Sequence, residues 1–397
     1  MPDSNAAPHT RLLFFSGGSA LGGLCRVLTS LTSHSIHLIT PFDSGGSSAK
    51  LRQAFAMPAV GDLRCRILDL ARLDGPNRKE QQSLVALLSH RLDAHQGTST
   101  AALKADLESL ANGYHPLTQT LAPDKHQSLC QALGYFMTAM PHNFDLRGAS
   151  LGNLVLTGNY LRQGRRLEPS VRLLSELVEA QGQVQSLVEA SLHLGARLAN
   201  GQVFFGQHLL TGKGIPAIES PIRNLWLNTS LDRLEPAQCQ IDAKTQGLIA
   251  GADLICYPPG SFYTSLIANL LPQGVAQAIA SNPCPKVYVP NLGPDPEQLG
   301  LDINSQIKQV LGYLADKAPH AKPPQLLSHL LLDSTENSYQ GRLDTQALDA
   351  LGIKRLTMPL TSDTSLARYD AERLAHALLD LASPRPGAQC AAPRAAL

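Results

Sequence analysis

The stretch from His37 to Arg64, HLITPFDSGGSSAKLRQAFAMPAVGDLR, restricts the fold of this chain more than any other. A short apolar run, Ile36 to Thr40, reads as a strand. It breaks into a loop with a carboxylate (Asp43), two adjacent glycines (Gly45, Gly46) and two hydroxyls (Ser47, Ser48). A basic helical turn with Lys50 and Arg52 follows, and the stretch closes on Pro58, Gly61, Asp62 and Arg64. Glycine lets backbone N–H groups approach an anion closely, and a following helix N-terminus adds partial positive charge. Asp43 and Asp62 in one loop system suit a divalent cation bridging protein and phosphate oxygens. Taken alone, the stretch reads better as a solvated Gly/Ser turn between a strand and a helix.

Two further loops of the same character shift that balance. The run RLLFF, Arg11 to Phe15, enters SGGSALGGL, where Gly17, Gly18 and Ser19 would present N–H groups at a helix start. The strand DLICY, Asp253 to Tyr257, enters PPGSFYTSLIANLL, with Gly260 and Ser261 before a helix and N–H groups free to face a phosphate. Strand, glycine loop and helix, repeated, predict a doubly wound α/β fold whose loops meet at a switch point.

The intervening chain is less decisive. From Asp74 to about residue 145 the apolar spacing is helical, which predicts a helical insertion over about 74–145 on a single domain spanning 11–383. Residues 1–10 and 384–397 read as flexible tails. Asn200-Gly201 between two apolar runs predicts a β-hairpin with a two-residue turn. Strands are also expected at Arg223–Leu227, Lys286–Asn291 and within 325–333. Gly148-Ala149-Ser150-Leu151-Gly152 matches the GxSxG nucleophile pattern, but HNFDLR before it is a poor strand, so a glycine turn opening a helix with Asn153 facing a ligand fits better.

Composition excludes other classes. Lys plus Arg number 33 against 32 Asp plus Glu in 397 residues, which gives no charge excess for nucleic acid or an anionic membrane. Seven scattered cysteines without CxxC suit reduced thiols, and the start carries no signal-peptide pattern, so a cytoplasmic location is expected. A homodimer is compatible with the sequence.

Together these blocks resemble the CofD/YvcK family of phospholactate transferases and gluconeogenesis factors. SGGSALGGL is similar to the family's GGTG-type loop, and TPFDSGGSSAKLRQAF with PAVGDLR is similar to its aspartate-GGSS and PPGD stretch. SLGNL resembles its HSxGNL, Glu219-Ser220 its ES pair, ADLICYPPGSFYTSLIANLL its GPGSLYTS block, and KVYVPN and YDAERLAHALLDL its last two. The chain departs from the pattern at Ala149 (the motif's histidine), at Phe42 (the first of two aspartates) and at GPDPEQLG, which marks a divergent branch.

The resemblance implies a Rossmann-like three-layer α/β/α fold with a mostly parallel, doubly wound sheet. It also implies a nucleotide or nucleoside-diphosphate-linked ligand, and magnesium (Mg2+) in the transferases. Carried over, Asp43 and Asp62 are the metal or acceptor carboxylates and the catalytic candidates. Gly17, Gly18, Gly260 and Ser261 match the phosphate-facing loops, with Ser19, Gly45, Gly46, Ser47 and Ser48 beside them, and Asn153 matches the SxGN asparagine. Arg52 and Arg64 are expected to pair with phosphate. Each has an alternative: Asp43 could cap its turn, Asp62 and Asn153 could cap helices, and both arginines could bridge to carboxylates.

Overall fold

A computed structural model describes residues 9–95, 97–212, 216–335, 339–362 and 368–383. The expected tails fall largely outside these residues. The strands in chain order are β1 Leu12–Ser16, β2 Ile36–Ile39, β3 Gln183–Ser186, β4 His193–Leu198, β5 Val203–Phe205, β6 Ile222–Asn228, β7 Pro236–Ala237, β8 Leu254–Tyr257, β9 Lys286–Tyr288, β10 His329–Asp333 and β11 Lys354–Met358. Seven form one sheet in the order β11-β10-β9-β8-β1-β2-β3, with every pairing parallel. The chain winds outward from β1 through β2 to β3, then returns beside β1 at β8 and winds the other way. The loops after β1 and β8 therefore diverge at one point, where a doubly wound sheet opens a crevice.

Alternation along the strands builds the three layers. Leu12, Phe14, Ile39, Leu254, Cys256 and Leu331 point into one core, and Leu13, Phe15, Leu38, Ile255, Tyr257 and Leu330 into the other. Phe14 and Phe15 are both fully buried on opposite faces. Each such burial is worth about 2 kcal/mol before entropy, so a one-residue slip of β1 is strongly disfavoured.

Helices Arg78–Ser89, Thr100–Ala111 and Pro123–Ala139 fill the expected helical segment. The last of them packs on helix Leu151–Arg162, where Gly158 permits close approach: a Cβ there would lie 1.9 Å from the Ala132 carbonyl oxygen.

The sequence reading differs from the structure in three places. The edge strands β3 (QVQS) and β11 (KRLTM) carry too few apolar residues to register as strands. Each is paired on one side only and takes its conformation from its neighbour. The hairpin joining β4 and β5 has a three-residue loop, Ala199 to Gly201, because the Leu198 N–H donates to the Gln202 carbonyl at 2.8 Å. Gly201 supplies the left-handed residue at φ +90°. Strand β10 starts only at His329, since Pro323–Leu326 forms a helical turn. Strands β4 to β7 form a separate antiparallel sheet in the order β5-β4-β6-β7.

Candidate functional site

The loop after β2 is shaped by Asp43. Its Oδ1 accepts the Gly45 N–H at 2.9 Å, an Asx turn that leads into helix Gly46–Phe55 with Gly46 at φ +50°. Ser47 and Ser48 lie buried in the first turn. One turn later Arg52 swings back under the loop. Its Nε donates to Met57 O (3.3 Å), Nη1 to Phe42 O (3.4 Å) and Asp43 O (3.0 Å), and Nη2 to Leu192 O (2.6 Å). Burial pushes its pKa down to about 10, with the Asp43 carboxylate acting the other way. Four backbone carbonyls thus absorb the guanidinium expected to face a phosphate, and Arg52 braces the loop from inside.

Helix Gly61–Asp69 gathers the remaining candidates. Its N-cap is Val60, with no side-chain capping bond, so Asp62 sits in the first turn and is not the cap. A Cβ on Gly61 would lie 2.5 Å from Ser48 Oγ, 3.4 Å from Asp43 Oδ2 and 3.8 Å from Asn153 Nδ2. Asn153 does not cap its own helix. It accepts from Arg64 Nε at 2.9 Å and donates to Ser47 Oγ at 2.8 Å, tying three elements together. Arg64 also donates to Cys65 Sγ at 3.3 Å and lines a cleft of about 850 Å³ with Ser19, Gly260 and Ser261.

The opposite side of the same helix presses on the first glycine loop. Added Cβ atoms would meet Asp62 Oδ1 at 2.3 Å from Gly18 and Ser265 Oγ at 2.4 Å from Gly17. Neither glycine has a positive φ, so close approach and not conformation requires them. Beneath the loop lies Arg66, fully buried. Its Nη2 donates to Gly17 O (2.9 Å) and Gly18 O (3.1 Å), and its Nη1 to Cys25 Sγ (2.8 Å) and Asp69 Oδ2 (3.5 Å). Asp62 and Arg66 are one helical turn apart, so both reach the loop from one face. Sequence reasoning missed Arg66; its only signal was a second arginine two residues past GDLR.

The third loop does not present the free N–H groups expected of it. Gly260, at φ +148°, donates its N–H to Asn291 Oδ1 at 2.8 Å. The helix after it opens with a π-helical segment, Phe262–Ile267. Phe262 N donates to Asp295 Oδ2, and Tyr263 N and Thr264 N to Glu297 Oε2, all at 2.8 Å, while Thr264 Oγ1 donates to Glu297 Oε1 at 2.6 Å. Two carboxylates from GPDPEQLG therefore occupy the donors that the sequence reserves for phosphate.

Burial and the neighbouring Asp295 carboxylate hold the Glu297 pKa above the usual glutamate range. The folded state then keeps a proton that the unfolded chain releases. This contribution to stability is complete below the ordinary glutamate pKa and is lost as pH rises toward the folded value. Glu297→Gln is expected to flatten that fall in melting temperature with pH, and an unchanged slope would contradict it.

A smaller cavity of about 60 Å³ joins Gly17, Gly18, Ser19, Asp62, Gly260 and Ser261, so the first and third loops meet at the switch point. Asp43, Gly45, Ser47, Ser48 and Asn153 lie on the other side of Gly61, linked to this cavity through Asp62 and through Gln207, whose Oε1 accepts the Ser44 N–H at 3.5 Å. Gly46 is exposed, and a Cβ there would face open space. Another cavity, about 520 Å³ against β3, contains none of the glycine loops. Ser150 of the GxSxG pattern is buried and donates to Leu88 O at 3.4 Å, which is no placement for a nucleophile.

Among the described residues no group of three or more His, Cys, Asp or Glu could hold a metal ion. Two carboxylates remain compatible with Mg2+, which usually takes one or two together with water and phosphate oxygens. Asp43 offers Oδ2, since Oδ1 is committed to Gly45. No helix among the described residues is long and apolar enough to cross a membrane.

Residues 12–361 match the family described as 2-phospho-L-lactate transferase CofD. A protein of Nostoc sp., provisionally named a gluconeogenesis factor, is 27% identical over 93% of this chain and 68% of its own length. The gluconeogenesis factor of Bacillus subtilis is 24% identical over 94% of this chain and 98% of its own. A crystal structure of a UPF0052 family member from Bacillus halodurans superposes with a TM-score of 0.67 at 21% identity, covering 94% of this chain and 99% of that one, a likeness of fold.

Proposed function

Because this chain belongs to the CofD family, we propose that it is a magnesium-dependent transferase acting on a nucleoside-diphosphate-linked donor. The donor's diphosphate would lie over Gly17, Gly18 and Ser19 in the cleft, with Arg64 beside it. The observation that carries this reading is that Asp43 Oδ2 lies beside Gly61, the residue before Asp62, while the Asp62 carboxylate is pressed against the first glycine loop. These two carboxylates would hold Mg2+, which when bound supplies charge neutralisation to the phosphates. The acceptor hydroxyl forms a new O–P bond at the proximal phosphorus, the P–O bond to the nucleoside monophosphate breaks, and the hydroxyl proton passes to solvent. The chain contributes position and fixed charge, which is sufficient for phosphoryl chemistry. Turnover of guanosine diphosphate-linked phospholactate with a deazaflavin acceptor and Mg2+ tests it. Absence of product across several donors would reject it.

A second reading is a nucleotide-sugar binding regulator, with UDP-N-acetylglucosamine as the ligand. It is favoured by the relatives named gluconeogenesis factors and by the N–H groups after β8, which are already filled by Asp295 and Glu297. A thermal shift by UDP-N-acetylglucosamine without its consumption would select this reading.

Asp43→Asn separates metal binding from turn capping. Asparagine keeps the oxygen that accepts the Gly45 N–H, so the melting temperature should hold. The anionic ligand to Mg2+ is lost. Magnesium-dependent nucleotide binding should therefore weaken by at least about tenfold, or about 1.4 kcal/mol. Binding measured without Mg2+ should not change. Equal losses with and without metal would reassign Asp43.

A further inference from the structure

The turn after strand β5 of the separate antiparallel sheet brings one imidazole against the Asp43 loop. After β5, Gly206 at φ +111° turns the chain so that His208 meets the loop between Asp43 and Gly45. The turn needs glycine: a Cβ on residue 206 would lie 2.8 Å from the His208 ring. Ser44 Oγ is 2.8 Å from His208 Nδ1, and the His208 backbone N–H donates to the same oxygen at 3.2 Å. Gly45 is close as well, its missing Cβ 3.8 Å from that of His208. The adjoining Gln207 lines the switch-point cavity with Gly17, Gly18 and Asp62.

This geometry selects a tautomer. A serine hydroxyl has one proton and two acceptor sites. Ser44 Oγ already accepts the His208 N–H, and Nδ1 is the only acceptor its proton reaches among the described residues. Donation to Nδ1 satisfies both groups and leaves the ring proton on Nε2. That nitrogen forms no hydrogen bond among the described residues, and the ring is only partly exposed.

We propose that His208, held by Ser44 as the Nε2–H tautomer, is a binding residue that donates a hydrogen bond to an anionic oxygen of the ligand at the Asp43 loop. The proposal rests on the reading of the cleft as a nucleotide site and adds to it a directional N–H donor. An N–H donor on a ring whose orientation Ser44 fixes reads an oxygen along one direction.

The test uses the full chain with Mg2+ and, in parallel, guanosine diphosphate and UDP-N-acetylglucosamine as probes. Nitrogen NMR of 15N-histidine-labelled protein should show His208 with a pyridine-like Nδ1 and a protonated Nε2, and saturating nucleotide should move the Nε2 resonance. His208→Phe keeps a ring and removes both nitrogens; it should weaken nucleotide binding by about tenfold. His208→Gln, whose amide reaches near the Nε2 position, should retain affinity within about threefold. Ser44→Ala should release the tautomer, visible as a mixed Nδ1/Nε2 signal, with melting temperature checked in each variant. A folded Phe variant that binds as tightly as wild type overturns the inference and leaves the nucleotide reading standing. A wild-type chain that binds neither probe overturns both.

Discussion

Arg66→Met is expected to lower the unfolding free energy by about 3–5 kcal/mol. The side chain is of similar length and fits the buried channel, but the carbonyls of Gly17 and Gly18 lose their shared donor and Asp69 loses one of its two cationic partners. Each buried polar group left unpaired costs about 1–3 kcal/mol. Removing a buried charge offsets part of this, which is why the expected loss is below the sum. Urea unfolding checks it, and a loss under about 1 kcal/mol would mean that the loop carbonyls find other partners. The surviving folded fraction should bind nucleotide weakly, because the first glycine loop is no longer fixed against Asp62.

Gly158→Ala is expected to destabilise by about 3 kcal/mol or more, against the usual sign. Alanine is the better helix former by about 1 kcal/mol, so propensity alone predicts a gain. Packing decides otherwise. The new methyl would stand 1.9 Å from Ala132 O and 3.0 Å from Phe136 Cβ, where real Cβ contacts essentially never fall under 3.0 Å. The obstacle is backbone, so helices Pro123–Ala139 and Leu151–Arg162 must separate, and overpacking of this kind costs about 1–3 kcal/mol and occasionally more. Paired urea curves of wild type and variant measure it. Unchanged or increased stability would show that the helices can slide apart without losing their contacts.

The central strands were legible because burial on both faces writes itself as apolar runs: RLLFF, IHLIT and DLICY each lie within about one residue of their strands. The edges β3 and β11 were not, since strands paired on one side can be polar and are defined by a partner distant in sequence. At the site the glycine loops were readable as loops, and Asp62 falls against Gly17 and Gly18 as a shared crevice requires. Side-chain direction was not readable. Arg52 and Arg64 look alike in sequence, yet one turns inward to four carbonyls and the other lines the cleft. Arg66, His208 and Glu297 were missed for one reason. Each acts on a loop from an element whose proximity is set by packing and carries no local signature.

The carboxylates of Asp295 and Glu297 at the helix after β8 have a consequence for affinity. They are tethered to the same chain, so their effective concentration at those N–H groups is of the order set by a short linker, about millimolar or above. An external phosphate arriving there meets a resident competitor that dilution cannot remove. Ligands whose anionic groups stay on the Gly17–Ser19 side avoid that competition entirely. On the proposed reading of the cleft, the acidic loop would therefore act as a polarity filter, favouring the end of an elongated ligand that keeps its anionic groups away from Phe262 to Thr264.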